Sequence, residues 1–294
     1  MAAQQSRPNM PAIIAEHPTR EALRMFARNP SAIAGGVMLL AVLFMALAGP
    51  WLMQVDPFEI RGAPLTPPLS EDALLGTDYL GRDVLTTIIY GGRATLLVGA
   101  VAALLSVCIG VTMGVMAGFY GGRVDTALMR VTEFFQVLPA LLFAMVVVTL
   151  FRPSLLTVTL AIGVVSWTGT ARLTRAEFLK AKAMDYVRAE RSIGARDARL
   201  IWRVILPNAL PPLIVSATLA VGSAILFEAG LSFLGLADPN EMSWGLMIGS
   251  SRAYVLTGWW AVAFPGLAIF VTVLAVSLIG DGLNDALNPK LRER

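Results

Sequence analysis

The chain has 294 residues, of which 56% are hydrophobic and only 15% charged, with a mean hydropathy of +0.69. Soluble domains carry about 25% charged residues, so this composition excludes an ordinary soluble domain and points to a polytopic membrane protein. One cysteine, Cys108, and one histidine, His17, exclude a disulfide framework and a His/Cys metal centre, and the net charge of +3 is better read through membrane topology than as nucleic-acid binding.

Residues 1–31 form a polar leader. Within it, Glu16 to Asn29 places Leu23, Phe26 and Ala27 on one side, while Arg20, Arg24 and Arg28 recur every four residues. That pattern predicts an amphipathic helix lying along the inner membrane surface. A helix needs about 20 apolar residues to cross a bilayer core, and six runs qualify. The first is residues 32–53. Its Ala46-Leu47-Ala48 resembles a signal-cleavage site, but the long leader and long apolar run fit a retained anchor better.

Residues 54–93 are polar and contain GTDYLGRD, Gly76 to Asp83. This resembles a phosphate-binding loop, yet Arg82 and Asp83 replace its Lys and Ser/Thr, so no nucleotide site is expected there. The core, residues 94–280, opens with span two, Ala94 to Phe119. There Gly110, Gly114 and Gly118 line one helix face and allow another backbone to approach closely, either from this chain or from another subunit. Span three is Phe134 to Phe151, with Gln136 its one strongly polar residue. Arg152 and Pro153 then force a tight hairpin into span four, Ser154 to Ala171, because proline disfavours helix at the residue before it.

The loop 172–208 holds DYVRAERSIGARDARLIWRVILPN, Asp185 to Asn208, with five arginines. Asp185 suits a helix cap. Tyr186, Ala189 and Ile193 then make a narrow apolar stripe, flanked by Arg188 and Arg191. Gly194 is the natural closing residue. A second helix carries Leu200, Ile201, Val204 and Ile205 on a wider apolar face, and Pro207, Pro211 and Pro212 lead into span five. A basic topology loop would account for the charge alone. The stripe and the capped break predict more: a short amphipathic helix offered to a groove in a soluble partner.

Span five, Leu213 to Ala237, contains Glu228. A carboxylate at bilayer depth faces the bundle interior or water, either on the transport pathway or as a hydrogen-bonded packing group. Trp259 and Trp260 suit an interfacial belt before span six, Ala261 to Gly280. Residues 281–294 form the tail.

No Lys or Arg falls inside a span. With both ends inside, the inner segments hold four, two, nine and three basic residues, and the outer ones three, one and one. This bias puts both termini in the cytoplasm and the arginine-rich loop on the inner side. The fold class expected is therefore all-α, with six transmembrane helices, an N-terminal interfacial helix, and a cytoplasmic helix pair between spans four and five. A membrane enzyme needs a nucleophile with a His or Lys base, or an H-E-x-x-H metal site, and the spans offer neither. A gradient-driven transporter would carry more ionisable groups in its spans.

The loop resembles the EAA loop of ABC-importer permeases, E-A-A-x3-G-x9-I-x-L-P. Ala189, Gly194, Leu206 and Pro207 match; Arg188 stands for the Glu, Glu190 for the second Ala and Val204 for the Ile. GTDYLGRDVLTTIIYGGRATLLVG (Gly76 to Gly99), EAGLSFLGL (Glu228 to Leu236) and GDGLNDALNPKLR (Gly280 to Arg292) resemble the second permease subunit of dipeptide, oligopeptide and nickel importers, a type I importer fold. In the last segment, Asn284 and Asn288 stand where a basic residue and Asp are common. The resemblance implies a subunit of a bacterial or archaeal cytoplasmic (inner) membrane, in contact with lipid and not with nucleic acid. The helix before Gly194 would be the coupling helix, seated in a cleft of an ATPase subunit. The implied partners are two ATPase subunits carrying ATP and Mg, a second homologous permease, and an extracytoplasmic binding protein; no cofactor is expected on this chain. The implied cargo is di- or oligopeptide, with a nickel chelate, an opine or an oligosaccharide as alternatives within the same class.

Overall fold

The structure, a computed structural model, describes residues 24–71 and 73–287. The described residues are almost wholly helical. Helix α1 is Pro30–Met53. Its N-cap, Asn29, accepts from the backbone N–H groups of Ser31 and Ala32 at 2.9 and 3.3 Å, and proline at the first helical position lacks the N–H that would otherwise be orphaned. The predicted leader helix falls largely outside the described residues. Only a helical turn from 24 to 26 belongs to it here.

Helix α2, Val84–Tyr120, is 37 residues long and begins well before the predicted Ala94. Asp83 caps it by accepting from the Thr86 N–H at 2.8 Å, and Arg93, exposed within the helix, does not interrupt it. The apolar run marked the bilayer core, whereas the cap marks the helix.

Span three is not one straight helix. α3, Gly122–Val137, and α4, Ala140–Phe151, meet at 85°. Pro139 is the cause, since it denies the α region to Leu138, whose ψ is 130°. The hairpin at Arg152 and Pro153 is as tight as expected, with Arg152 at φ +71°. α5, Leu155–Ser166, and α6, Thr168–Lys182, continue one another past Ala171.

α7 is Asp185–Ser192. A single turn at Asp197–Arg199 and a π-helical segment, Leu200–Ile205, run straight into α8, Leu206–Phe233. The three prolines lead into span five as expected, and they lie within its helix. Widening to the π spacing just ahead of Pro207 offers carbonyls longer-range partners, with Leu206 N–H donating to Ile201 O. Asn208 Nδ2 also donates to Val204 O at 2.7 Å. α9, Trp244–Ser251, and α10, Trp260–Leu287, complete the fold.

Among the described residues, five helices, with α5 and α6 taken together as one, are long and apolar enough to cross a membrane, and the bent pair gives a sixth crossing if taken as one. Asn29 Nδ2 donates to Asp285 Oδ2 at 3.0 Å, so the start of α1 and the end of α10 share one end of the bundle. Three buried clusters stack along it. One holds Phe119, Phe178, Val187, Leu200 and Ile205 at the end bearing the arginine loop. A middle one holds Val98, Ala102, Val148 and Ile162. The third, at the far end, holds Val84, Ile88, Trp244 and Trp260. Trp260 thus belongs to the core, with its indole N–H donating to Thr77 O at 2.9 Å; only Trp259 is exposed as an interfacial residue would be. GTDYLGRD is a turn scaffold. Asp78 Oδ1 accepts from the Leu80 and Arg82 N–H groups at 2.8 and 2.9 Å, and Asp83 is the α2 cap.

Candidate functional site

The short helix α7 is fixed by one residue. Val187 is 2% exposed and packs into the cluster with Phe119, Phe178 and Leu200. Beside it, Lys182 Nζ donates to Phe119 O at 2.5 Å and lies over the Phe119 ring, as does the Arg191 guanidinium. With Val187 turned in, Tyr186, Ala189 and Ile193 turn out. Tyr186 is 43% and Ile193 77% exposed, and Ala189 is exposed too. The apolar stripe exists and lies on the surface of this chain.

Asp185 is not the cap. Met184 occupies that position, and Asp185 is the first helical residue, 3.7 Å from Arg188 in an exposed pair that contributes little. The closure is as expected. Gly194 has φ +84°; its N–H donates to Arg191 O at 3.0 Å, and the Ala195 N–H reaches back to Glu190 O at 3.1 Å. This is the paired 5→2 and 6→1 pattern that left-handed glycine permits. Glu190, where the loop departs from E-A-A, approaches Arg199 at 3.4 Å and so ties α7 to the next turn. Leu206 and Pro207 do not join this surface. They lie at the base of α8, Leu206 packed on the buried cluster and Pro207 exposed.

The glycine face of α2 meets α6 of the same chain. A Cβ on Gly110 would lie 2.6 Å from Thr170 Cβ; on Gly114, 2.5 Å from both Ala171 O and Thr174 Cβ; on Gly118, 2.6 Å from Phe178 Cβ. The partners advance in step, so the two helices run parallel, backbone against backbone. Parallel packing requires the intervening α3 and α4 to return the chain to the opposite end.

Glu228 is 3% exposed, at the far end of α8. Its Oε1 accepts from Ser232 Oγ at 2.7 Å and from Ser243 Oγ at 2.9 Å, while Oε2 has no partner. Ser243 also caps α9 by accepting from the Leu246 N–H at 3.0 Å. The carboxylate therefore fastens α9 onto α8.

Sequence reasoning did not single out three residues that the structure makes central. Val187 is followed one turn on by Glu190 and Arg191, so no apolar stripe running along the helix reveals it. Trp244 is fully buried, with its indole N–H on Ile88 O at 2.8 Å and its backbone N–H on Thr95 Oγ1 at 3.1 Å. Arg175 pairs with Asp125 across fifty positions, a distance no local pattern spans.

The family model described as binding-protein-dependent transport system inner membrane component matches residues 110–293, and that of the N-terminal TM domain of oligopeptide transport permease C matches residues 17–68. The di/tripeptide transport system permease protein DppC of Pseudomonas aeruginosa (strain UCBPP-PA14) is 42% identical, covering 96% of this chain and 95% of that protein. The dipeptide transport system permease protein DppC of Escherichia coli (strain K12) is 44% identical over 94% of each. Among solved structures, an inward-facing MetNI methionine ABC transporter superposes with a TM-score of 0.56 at 17% identity, covering 69% of this chain and 96% of that one. At that identity the likeness establishes the fold. With one family model spanning more than half the chain and relatives above 40% identity along nearly all of it, the chain belongs to the binding-protein-dependent transport system inner membrane components, the permease subunits of ABC importers.

Proposed function

We propose that this chain forms half of the translocation pathway of an ATP-driven importer of di- and oligopeptides, and that α7 is the element through which ATPase subunits move it. The names of its relatives support the cargo. The mechanism rests on one observation: the exposed Tyr186, Ala189 and Ile193 stripe on a helix held to the bundle by Val187. A helix that buries one residue and presents the rest transmits a push from a soluble partner without detaching. ATP and Mg reside in two such partners. Their closure drives the helices of two related permeases together and opens the cavity toward the binding protein outside. The uneven Lys and Arg distribution supports a cytoplasmic position for α7 and for both termini.

The test is Tyr186→Asp and Ala189→Asp in the complete transporter reconstituted in proteoliposomes. A carboxylate forced into the docking cleft is expected to lower ATP-coupled uptake of labelled Ala-Ala by about tenfold or more. Normal coupling in both variants would remove the docking assignment. Uptake of Ala-Ala without any ATPase subunit would mark a channel or secondary transporter instead.

A further inference from the structure

Midway between the buried clusters at the two ends of the bundle, α2, α8 and the junction of α5 with α6 form the walls of an open cavity of about 220 Å³. Ser106, Ser166, Thr170, Ser216 and Ser223 line it, with Gly169 and small apolar residues between them and with neither a charged nor an aromatic side chain. Ser106 is 1% exposed and its hydroxyl makes no hydrogen bond. This is unusual within the same bundle. Thr112, Thr174 and Thr272 each return their hydroxyl to a carbonyl one turn back, at 2.8, 2.8 and 2.7 Å. α5 passes into α6 at Trp167 beside the cavity, and a Cβ on Gly169 would meet nothing within 4 Å. The groove on another face of α5, lined by Phe143, Val147, Leu156, Leu160 and Val164, is apolar, as a lipid-facing groove should be.

We propose that this hydroxyl-lined cavity is a transit site for the peptide main chain. Short hydroxyls both donate and accept, so they match amide N–H and C=O groups alike. The absence of charge and aromatic rings from the lining leaves nothing to select one side chain over another. It also offers no ligand for a metal chelate and no platform for a sugar ring. The site thus binds what all peptides share. This inference rests on the peptide-import reading above.

The test uses the complete transporter in proteoliposomes, with uptake of Ala-Ala, Lys-Lys and Phe-Phe followed in parallel. Ser106→Ala, Ser216→Val and Ser223→Val should each lower uptake ~3- to 10-fold, the scale of one lost hydrogen bond, and by the same factor for all three dipeptides. Ser223→Thr, which keeps the hydroxyl, should retain the wild-type rate, and co-purification of the ATPases verifies assembly of each variant. In a Cys108→Ser background, Ser223→Cys should react with a hydrophilic thiol reagent, and Ala-Ala delivered by the binding protein should slow that reaction. Undiminished uptake in the hydroxyl-deleted variants, a loss confined to one dipeptide, or labelling indifferent to Ala-Ala would overturn the transit site and leave peptide import standing. A wild-type transporter that moves none of the three dipeptides would overturn both.

Discussion

Arg175 grips Asp125 with two parallel hydrogen bonds, Nε to Oδ1 at 2.6 Å and Nη2 to Oδ2 at 2.7 Å. The pair joins the amphipathic α3 to α6, and the fork geometry fits a carboxylate better than a lysine would. Asp125→Ala should lower the melting temperature of the detergent-purified complex, for a loss of about 1–3 kcal/mol. Asp125→Asn, which keeps one acceptor, should lose less. Equal melting temperatures for Asp125→Ala and wild type would show that α3 is held by other means.

The glycine seam gives a sharper contrast. A methyl on Gly114 would press on Ala171 O and Thr174 Cβ, both at 2.5 Å, whereas a methyl on Gly36 would meet nothing within 4 Å. Gly114→Ala should therefore destabilise by roughly 1–3 kcal/mol and Gly114→Leu should prevent assembly, while Gly36→Ala should be neutral or mildly stabilising. Thermal melts of the three variants decide it. A Gly114→Ala protein as stable as Gly36→Ala would mean the seam opens without strain.

Gly194 tests conformation apart from packing. Its φ is +84° and its surroundings are open, so alanine there meets no clash and bears only the left-handed penalty, about 1–2 kcal/mol confined to the loop. Gly194→Ala should leave assembly intact and reduce the stimulation of ATP hydrolysis by loaded binding protein. Gly194→Asn should be milder, because asparagine tolerates this region. Wild-type stimulation in the alanine variant would show that the angle of α7 is set by Val187 alone.

For Glu228, both serine hydroxyls bond the same oxygen, Oε1. Glutamine can present its carbonyl oxygen at that point, so Glu228→Gln should keep near-normal uptake. Glu228→Ala should lose both bonds and loosen α9, with a cost of about 1–3 kcal/mol. Ser243→Ala removes the link and the α9 cap together and should resemble Glu228→Ala more than Glu228→Gln. Strong loss of uptake in the glutamine variant, at normal stability, would assign the charge a part in transport.

Much of this architecture was legible in the sequence because bilayer crossing is a coarse constraint. Apolar runs located the long helices. The glycine spacing in α2 announced close packing, though not that α6 would supply the other half. Local chemistry read well where it is self-contained: Gly194 closes α7 because the left-handed closure needs no distant partner. It read poorly where a distant residue intervenes. Asp125 and Arg175 show no local sign of the pair they make across the bundle. Pro139 was a different case, a visible bend hidden inside an apolar run. The Tyr186 stripe was found by its spacing, but Val187, which decides that the stripe faces outward, is visible only once Phe178 and Leu200 are brought around it.

The backbone contact between α2 and α6 has a mechanical meaning. Without side chains interleaved between them at Gly110, Gly114 and Gly118, and with Lys182 clasping Phe119 at the lower end, the two helices behave as a single stiff beam. A displacement applied beside Val187 would have to move this beam as a whole, with Ser106 and Gly169 toward its other end. The elbow at Pro139, bent through 85°, lies outside that beam. The molecule thus divides into a crank and a joint, and the cavity lies on the crank.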